Sequence, residues 1–179
     1  RAAELTSQLL GFARRGMYQD VPVDLGATIQ SVIQLIGGAI DPRITVEAVL
    51  PPQPVWTHGD PTQMEQVVLN LAMNARDAMV GDGKMTFAAE TLELDAAACI
   101  GRPRAKPGRY VILRVSDTGC GITEEFRDRI FEPFFTTKPI GKGTGMGLAM
   151  VYGIARNHGG WVEVDSEVGQ GSTFRVYLP

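Results

Sequence analysis

Apolar positions along this chain recur at two spacings. About 3.6 residues apart they mark helices; every second residue, or in short unbroken runs, they mark strands. In "RAAELTSQLLGFARR" the first pattern is carried by Leu5, Leu9 and Phe12, with Leu10 beside them. That stripe has no partner nearby, so it is expected to be the tail of a longer helix, and the chain to begin within that helix. "QDVPVD" reads as a linker. An amphipathic helix is predicted over about Leu25 to Ile36, ended by Gly37-Gly38. "ITVEAVL" and "PVWTHGD" read as strands. The clearest helix comes next. Asp60 suits the N-cap, Pro61 the first helical position and Gly81 the exit. Its expected buried stripe is Met64, Val67, Val68, Leu71, Ala75 and Ala78. Beside it runs a polar stripe of Gln66, Asn70, Asn74 and Asp77.

Strands are predicted at "KMTFAAETLEL" and "RYVILRVSD". The loop between them carries Arg102, Arg104 and Lys106. "TEEFRDRIF" reads as a short helix, and "GMGLAMVYGIARNHGG" as a glycine-led helix running to about His158. "WVEVDSE" and "STFRVYLP" close the chain as strands. Strand-sized and helix-sized pieces separated by glycines give an α+β chain, a two-layer α/β sandwich.

Length and composition narrow the class. A chain of 179 residues, 44% hydrophobic, buries a real core as one domain with a short appendage. A net charge of -3 carries no nucleic-acid footprint, so no nucleic-acid partner is expected. Cys99 and Cys120 have neither metal spacing nor a disulfide framework, which fits a reduced cytosolic setting. No apolar run reaches membrane-spanning length and no signal peptide is evident.

Chemistry concentrates where the glycines cluster. In "DTGCGI", Asp117 stands at a predicted strand end, and Gly119 and Gly121 let backbone approach a ligand. A carboxylate there can accept from an exocyclic amine; a plain glycine turn is the alternative. In "FFTTKPIGKGTGMGLAM", Gly141, Gly143, Gly145 and Gly147 alternate and run into a helix, offering backbone amides to phosphate oxygens. Gly143 follows Lys142 where a P-loop has Ser or Thr, and the Rossmann spacing is absent too. Lys138 and Lys142 are candidates to touch phosphate. A last cluster, Tyr152, Arg156, His158 and Trp161, is a possible second-ligand site. An aromatic pair beside Arg can stack a purine for roughly 1–3 kcal/mol per base; packing of both rings on the sheet is the alternative.

In order and spacing these segments resemble the catalytic and ATP-binding domain of bacterial sensor histidine kinases. "NLAMNARDAM" is similar to the N box, "DTGCGI" to the first glycine box, "FEPFFTTK" to the F box, "GKGTGMGLAM" to the second glycine box and "GQGSTF" to the third. The wording is most like nitrogen-regulator and hybrid cell-cycle kinases. The resemblance runs from about Asp24 to Pro179, and the opening segment resembles the end of the second dimerisation helix. It implies residues 1–20 as helix end and linker, and 21–179 as a domain of the Bergerat fold, shared with gyrase and mismatch-repair ATPases.

The same resemblance implies the ligands, ATP and Mg²⁺. Asn74 would be the metal ligand, its carboxamide supplying a hard oxygen without adding charge beside the triphosphate. Asn70 would face the same phosphates. Asp117 would accept from the adenine amine, with Gly119, Gly121 and Ile122 shaping the base pocket. Asp77, and Ser172 or Thr173, would reach adenine through water. Gly141, Lys142, Gly143, Thr144, Gly145, Met146, Gly147 and Leu148 would form the lid and the helix start over the phosphates. One departure is Asp77-Ala78, where many relatives carry a Lys-Tyr type of pair. A gyrase-type ATPase would place a glutamate at Asn70, since a carboxamide is no general base; a nucleotide-binding regulatory module without chemistry remains a third reading. Neither His58 nor His158 lies in a phosphoacceptor context, so the acceptor histidine is expected upstream, on the chain's own dimerisation helices, and no catalytic residue in this stretch. A receiver domain or response regulator downstream, cyclic di-GMP as second ligand, and a cytoplasmic place in a membrane-anchored kinase complete what the resemblance implies.

Overall fold

A computed structural model describes residues 19–102, 105–139 and 143–179. The opening stripe of Leu5, Leu9, Leu10 and Phe12 lies outside the described residues, as do Arg104, Gly141 and Lys142. The described elements run β1 (Val21–Asp24), α1 (Leu25–Ile36), β2 (Ile44–Val49), β3 (Trp56–Gly59), α2 (Pro61–Ala78), β4 (Gly83–Leu94), β5 (Gly108–Asp117), α3 (Glu124–Arg127), α4 (Gly147–Asn157), β6 (Trp161–Glu167) and β7 (Gly171–Leu178). Five strands form one sheet in the order β2-β4-β5-β7-β6. The β2–β4 pair is parallel and the other neighbours are antiparallel.

Alternation along the strands builds the two layers. Met85, Phe87 and Ala89 of β4, Val111, Leu113 and Val115 of β5, and Phe174, Val176 and Leu178 of β7 share one buried cluster with the helices. Ile29 and Val32 of α1, Val67, Val68 and Leu71 of α2, and Val151 and Ala155 of α4 meet them. Burying each large side chain stabilises by about 1.5–3 kcal/mol. This is the expected α+β sandwich. The alternate positions Leu94, Tyr110, Ile112, Trp161 and Tyr177 form a second cluster, joined by Ala98, Cys99 and Ala105 of the loop after β4. Arg102 of that loop donates to Glu163, which also accepts from Trp161 and Tyr177. Burial opposes ionisation of Glu163, but these three donors outweigh it and hold its carboxyl below the ordinary range. Tyr177, buried beside that carboxylate, is pushed up to about 12.

Three expectations need correction. "QDVPVD" is not only a linker: Val21–Asp24 pairs antiparallel with Trp56–Gly59. Four residues interrupted by Pro22 carry too little alternation to signal a strand whose partner lies so far along the chain. Helix α2 ends at Ala78 rather than at Gly81. There Met79 turns to extended backbone and is buried, and the Ala78 carbonyl accepts from Cys120 N–H at 2.9 Å. That long-range bond, invisible to local pattern, stops the helix, and leaves Ala78 only half-buried while Ala72 joins the core. Finally, "TEEFRDRIF" is helical only over Glu124–Arg127 and continues as hydrogen-bonded turns to Glu132.

Asp60 anchors the start of α2. Its Oδ1 accepts from Thr62 N–H at 2.9 Å and Gln63 N–H at 3.1 Å, and its Oδ2 from Gln19 N–H at 3.2 Å. Asp60→Ala is therefore expected to cost about 1 kcal/mol, a loss of about 2–4 °C in melting temperature by calorimetry for a chain of this size.

Candidate nucleotide site

The polar stripe of α2 is fixed by the burial of the stripe beside it. Asn70 and Asn74 come out half-buried, and each has a side-chain nitrogen, Nδ2, that is buried and without a partner among the described residues. Gln66 Nε2 donates to Asn70 Oδ1 at 3.2 Å, which orients that carboxamide. The first residue of α4 lies against the pair: a Cβ at Gly147 would stand 3.5 Å from Asn74 Nδ2 and 3.9 Å from Asn70 Oδ1. Helix α4 has no side-chain cap, since Met146 offers none, so its first-turn amides point out with the positive end of the helix dipole. Two buried carboxamides facing an uncapped helix start make a polar gap that suits phosphate oxygens. A half-turn of a carboxamide exchanges nitrogen for oxygen. The same gap therefore offers hard oxygen to a magnesium ion, which favours such ligands. Among the described residues no three His, Cys, Asp or Glu side chains gather as an alternative cation cluster.

Asp117 ends β5 at 7% exposure. Its Oδ1 accepts from Gly119 N–H at 2.8 Å. Burial raises its pKa above the ordinary aspartate value, partly offset by the backbone bonds from Gly119 and Ser172. Two glycines let the chain close around it. A Cβ at Gly121 (φ +70°) would fall 2.2 Å from the Glu167 carbonyl oxygen, and one at Gly171 (φ +108°) 1.9 Å from that of Asp117. An open cleft of about 350 Å³ lies here, lined by Asp117, Arg127, Ser166, Glu167, Gly171 and Ser172 among others. Ile122 is half-buried beside it, its N–H held by Ser166 Oγ at 2.8 Å. Of the two hydroxyls left open by the sequence, Ser172 is the one paired with Asp117 across the strands. Thr173 sits at the opposite parity, where it donates to Ser116 Oγ at 3.0 Å.

The segment before α4 is tied to α2 from the other side. Lys138 Nζ meets Asp77 Oδ2 at 2.6 Å, and Arg76 meets Asp77 Oδ1 at 2.6 Å. Burial works against the Asp77 carboxylate, but these two cations win and lower its pKa. Lys138 and Asp77, both predicted to serve the nucleotide, thus serve each other here. Phe134 N–H donates to Gly145 O at 3.0 Å, with Phe134 itself at φ +67° and 70% exposed. Gly143 lies against Lys138 and Thr136, and Thr144 Oγ1 accepts from Met146 N–H at 3.3 Å. Leu148 packs on the core from the first turn of α4.

The four residues of the second-ligand site are not brought together. Arg156 Nη1 donates to Tyr152 OH at 2.9 Å on α4, and that ring lies 5.5 Å from Phe131. His158 is buried: Nε2 accepts from Asp60 N–H at 3.2 Å, which makes Nδ1 the protonated nitrogen that donates to Ile154 O at 2.8 Å. Trp161 stacks on Tyr177 at 4.5 Å in the second cluster. The expectation failed on strand parity. Trp161 pairs with Tyr177, whose neighbours Val176 and Leu178 face the helices, so the sheet stands between Trp161 and Tyr152. Arg127 and Ser166, which line the cleft, escaped notice because neither lies in a glycine cluster; the even spacing of Ser166 with Val164 was the available signal.

A family model for histidine kinase-, DNA gyrase B-, and HSP90-like ATPases matches residues 59–179. The sensor kinase CckA of Brucella abortus is 41% identical over all of this chain, which spans 19% of that protein. The catalytic domain of histidine kinase ThkA superposes with a TM-score of 0.72 at 27% identity, over 90% of this chain and 95% of that one. Full-length ShkA in complex with AMPPNP superposes with a TM-score of 0.77 at 29% identity, over 98% of this chain and 35% of that one. The chain spans about a fifth of the length of the first curated relatives it matches. Matched in sequence from Gly59 to its last residue and in fold across both layers, the chain belongs to the histidine kinase-, DNA gyrase B- and HSP90-like ATPase family, as a catalytic domain of the histidine kinase type.

Proposed function

We propose that this chain binds ATP together with Mg²⁺ and presents the γ-phosphoryl group to a histidine on dimerisation helices of the same kinase. The observation that carries the reading is the pair of buried side-chain nitrogens, Nδ2 of Asn70 and Nδ2 of Asn74, without a partner among the described residues and set against the uncapped start of α4. A buried donor without a partner costs about 1–3 kcal/mol. Such a cost is retained where a ligand repays it. When bound, Mg²⁺ supplies neutralisation of phosphate charge, and Asn74 would hold it. Asn70 and the amides of Gly147 and Leu148 contact phosphate oxygens. Asp117 and Ser172 hold the base. Phosphoryl transfer is mostly positioning and charge neutralisation, and these groups supply both. Asn70 has no basicity with which to activate water, which favours transfer over hydrolysis.

The sensor kinases among the relatives support a place in a two-component phosphorelay, with a receiver domain or response regulator taking the phosphoryl group onward. A membrane-anchored parent kinase with this domain on the cytoplasmic side, working as kinase and phosphatase in turn, is part of the same proposal and rests on the sequence resemblance alone. No helix among the described residues is long and apolar enough to cross a membrane. Cyclic di-GMP, as a regulator, would have to use Tyr152, Arg156 and Phe131 without Trp161.

Calorimetry on the purified chain is expected to show Mg²⁺-dependent ATP binding. Asn74→Leu, close in shape to asparagine, should raise the nucleotide-free stability by about 1 kcal/mol and abolish the extra stability conferred by ATP with Mg²⁺. Lower apo stability together with unchanged ATP binding would contradict the reading. Affinity should also depend on pH. Asp117 accepts more strongly when ionised, and its pKa is raised, so ATP affinity should begin to fall, on acidification, at a pH above the 3.8 of an ordinary aspartate. Asp117→Asn should weaken ATP about ten- to hundredfold and remove that dependence. Incubated with radiolabelled ATP, the chain should stay unlabelled, because His158 is buried with both ring nitrogens engaged and His58, on β3, lies beside Asp20 at 3.7 Å in no phosphoacceptor context.

A further inference from the structure

Ser166 is a hub of hydrogen bonds that no motif selects. It sits near the end of β6, at the same parity as Val164, which packs against the helix-facing core. Its Oγ lies 2.8 Å from Ile122 N, 3.0 Å from Gly171 O and 2.9 Å from Ser172 Oγ. From outside, Arg127 Nη2 donates to the Ser166 carbonyl at 2.9 Å and pins this strand end.

These three contacts fix the direction of two protons. The Ile122 N–H only donates and the Gly171 carbonyl only accepts. A serine hydroxyl has one proton, and Gly171 O is the one neighbour of Ser166 that must receive it. Ser172 must then donate to Ser166; otherwise two sets of lone pairs would face each other at 2.9 Å. With its proton spent, Ser172 Oγ shows only lone pairs to the cleft. Its cross-strand neighbour is Asp117, which when ionised also only accepts. The base end of the cleft is therefore bordered by two acceptors. An exocyclic amine, with two hydrogens, satisfies both. A carbonyl oxygen in the same place meets lone pairs on both sides.

We propose that Ser166 is a positioning residue for nucleotide choice: by orienting the Ser172 hydroxyl it makes the cleft take a 6-aminopurine and reject a 6-oxopurine. The inference rests on the ATP-binding reading and deepens it. It reaches a residue that acts on the base through Ser172 and Ile122.

ATP and inosine triphosphate differ in their base at the 6-position, amine against carbonyl, and at N1, an acceptor in ATP and an N–H in inosine triphosphate, so the effect is read from how the Ser166 variants change their ratio. Their dissociation constants, with Mg²⁺, are measured by calorimetry for the wild type, Ser166→Ala and Ser166→Thr, with circular dichroism to establish folding. The wild type is expected to prefer ATP by tenfold or more. Ser166→Ala frees the Ser172 proton, so the preference should narrow about tenfold, through weaker ATP binding and stronger inosine triphosphate binding. Ser166→Thr keeps the hydroxyl and should keep the preference. A purely structural role would weaken both ligands equally, and an unchanged ratio in folded Ser166→Ala overturns the proposal. If Ser166→Ala does not fold, Ser172→Ala carries the test: a narrowed ratio supports the proposal and an unchanged one overturns it. A wild type that binds neither nucleotide instead overturns the ATP-binding reading on which the inference stands.

Discussion

The clamp on helix α2 is the constraint on which the rest depends. Met64, Val67, Val68, Leu71 and Ala75 are sealed into the core between sheet and helices, and Asp60 and the Ala78 carbonyl fix the two ends. Held so, the helix cannot rotate to bring Asn70 and Asn74 to water. Their amide nitrogens stay buried and unpaired, facing a second helix that starts on a glycine and lacks a cap. Hydrophobic packing thus enforces a local polar deficit. The deficit, more than the cleft volume, gives the site its chemistry.

The base end works by the same exchange of stability for readiness. Gly121 and Gly171 let three backbone segments approach more closely than any side chain allows. That closeness buries Asp117, and the buried carboxyl resists ionisation. An aspartate with a raised pKa costs the empty protein stability at neutral pH, and an amine donor relieves it. Asp77, by contrast, is already neutralised by Lys138 and Arg76. A nucleotide that needs Lys138 must compete with that ion pair, which couples the segment before α4 to α2.

Much of this was legible in the sequence because it is local. The limits of α1, the cap at Asp60, the strands with long alternation and the glycine clusters were all readable. So were the places of Asn70 and Asn74 on one polar stripe of α2 and of Asp117 at the end of β5. What escaped depends on long-range contact. The pairing of Val21–Asp24 with β3 and the early end of α2 at the Cys120 N–H each need a partner distant in sequence. Trp161 was grouped with Tyr152 because three residues separate it from the end of α4, but strand parity placed it on the opposite face. Ser166 lacked any signal except that parity.

The central claim is that the side-chain amide nitrogens of Asn70 and Asn74 are held without partners for a nucleotide and its metal. Nitrogen-15 NMR of the side-chain amides, assigned by Asn70→Leu and Asn74→Leu, tests it most directly. On adding ATP the signals of both should move, and on adding Mg²⁺ that of Asn74 should move again, while asparagine and glutamine side chains away from the site stay in place. If ATP with Mg²⁺ binds and neither signal moves, the unpaired amide nitrogens do not mark the ligand site and the account is wrong.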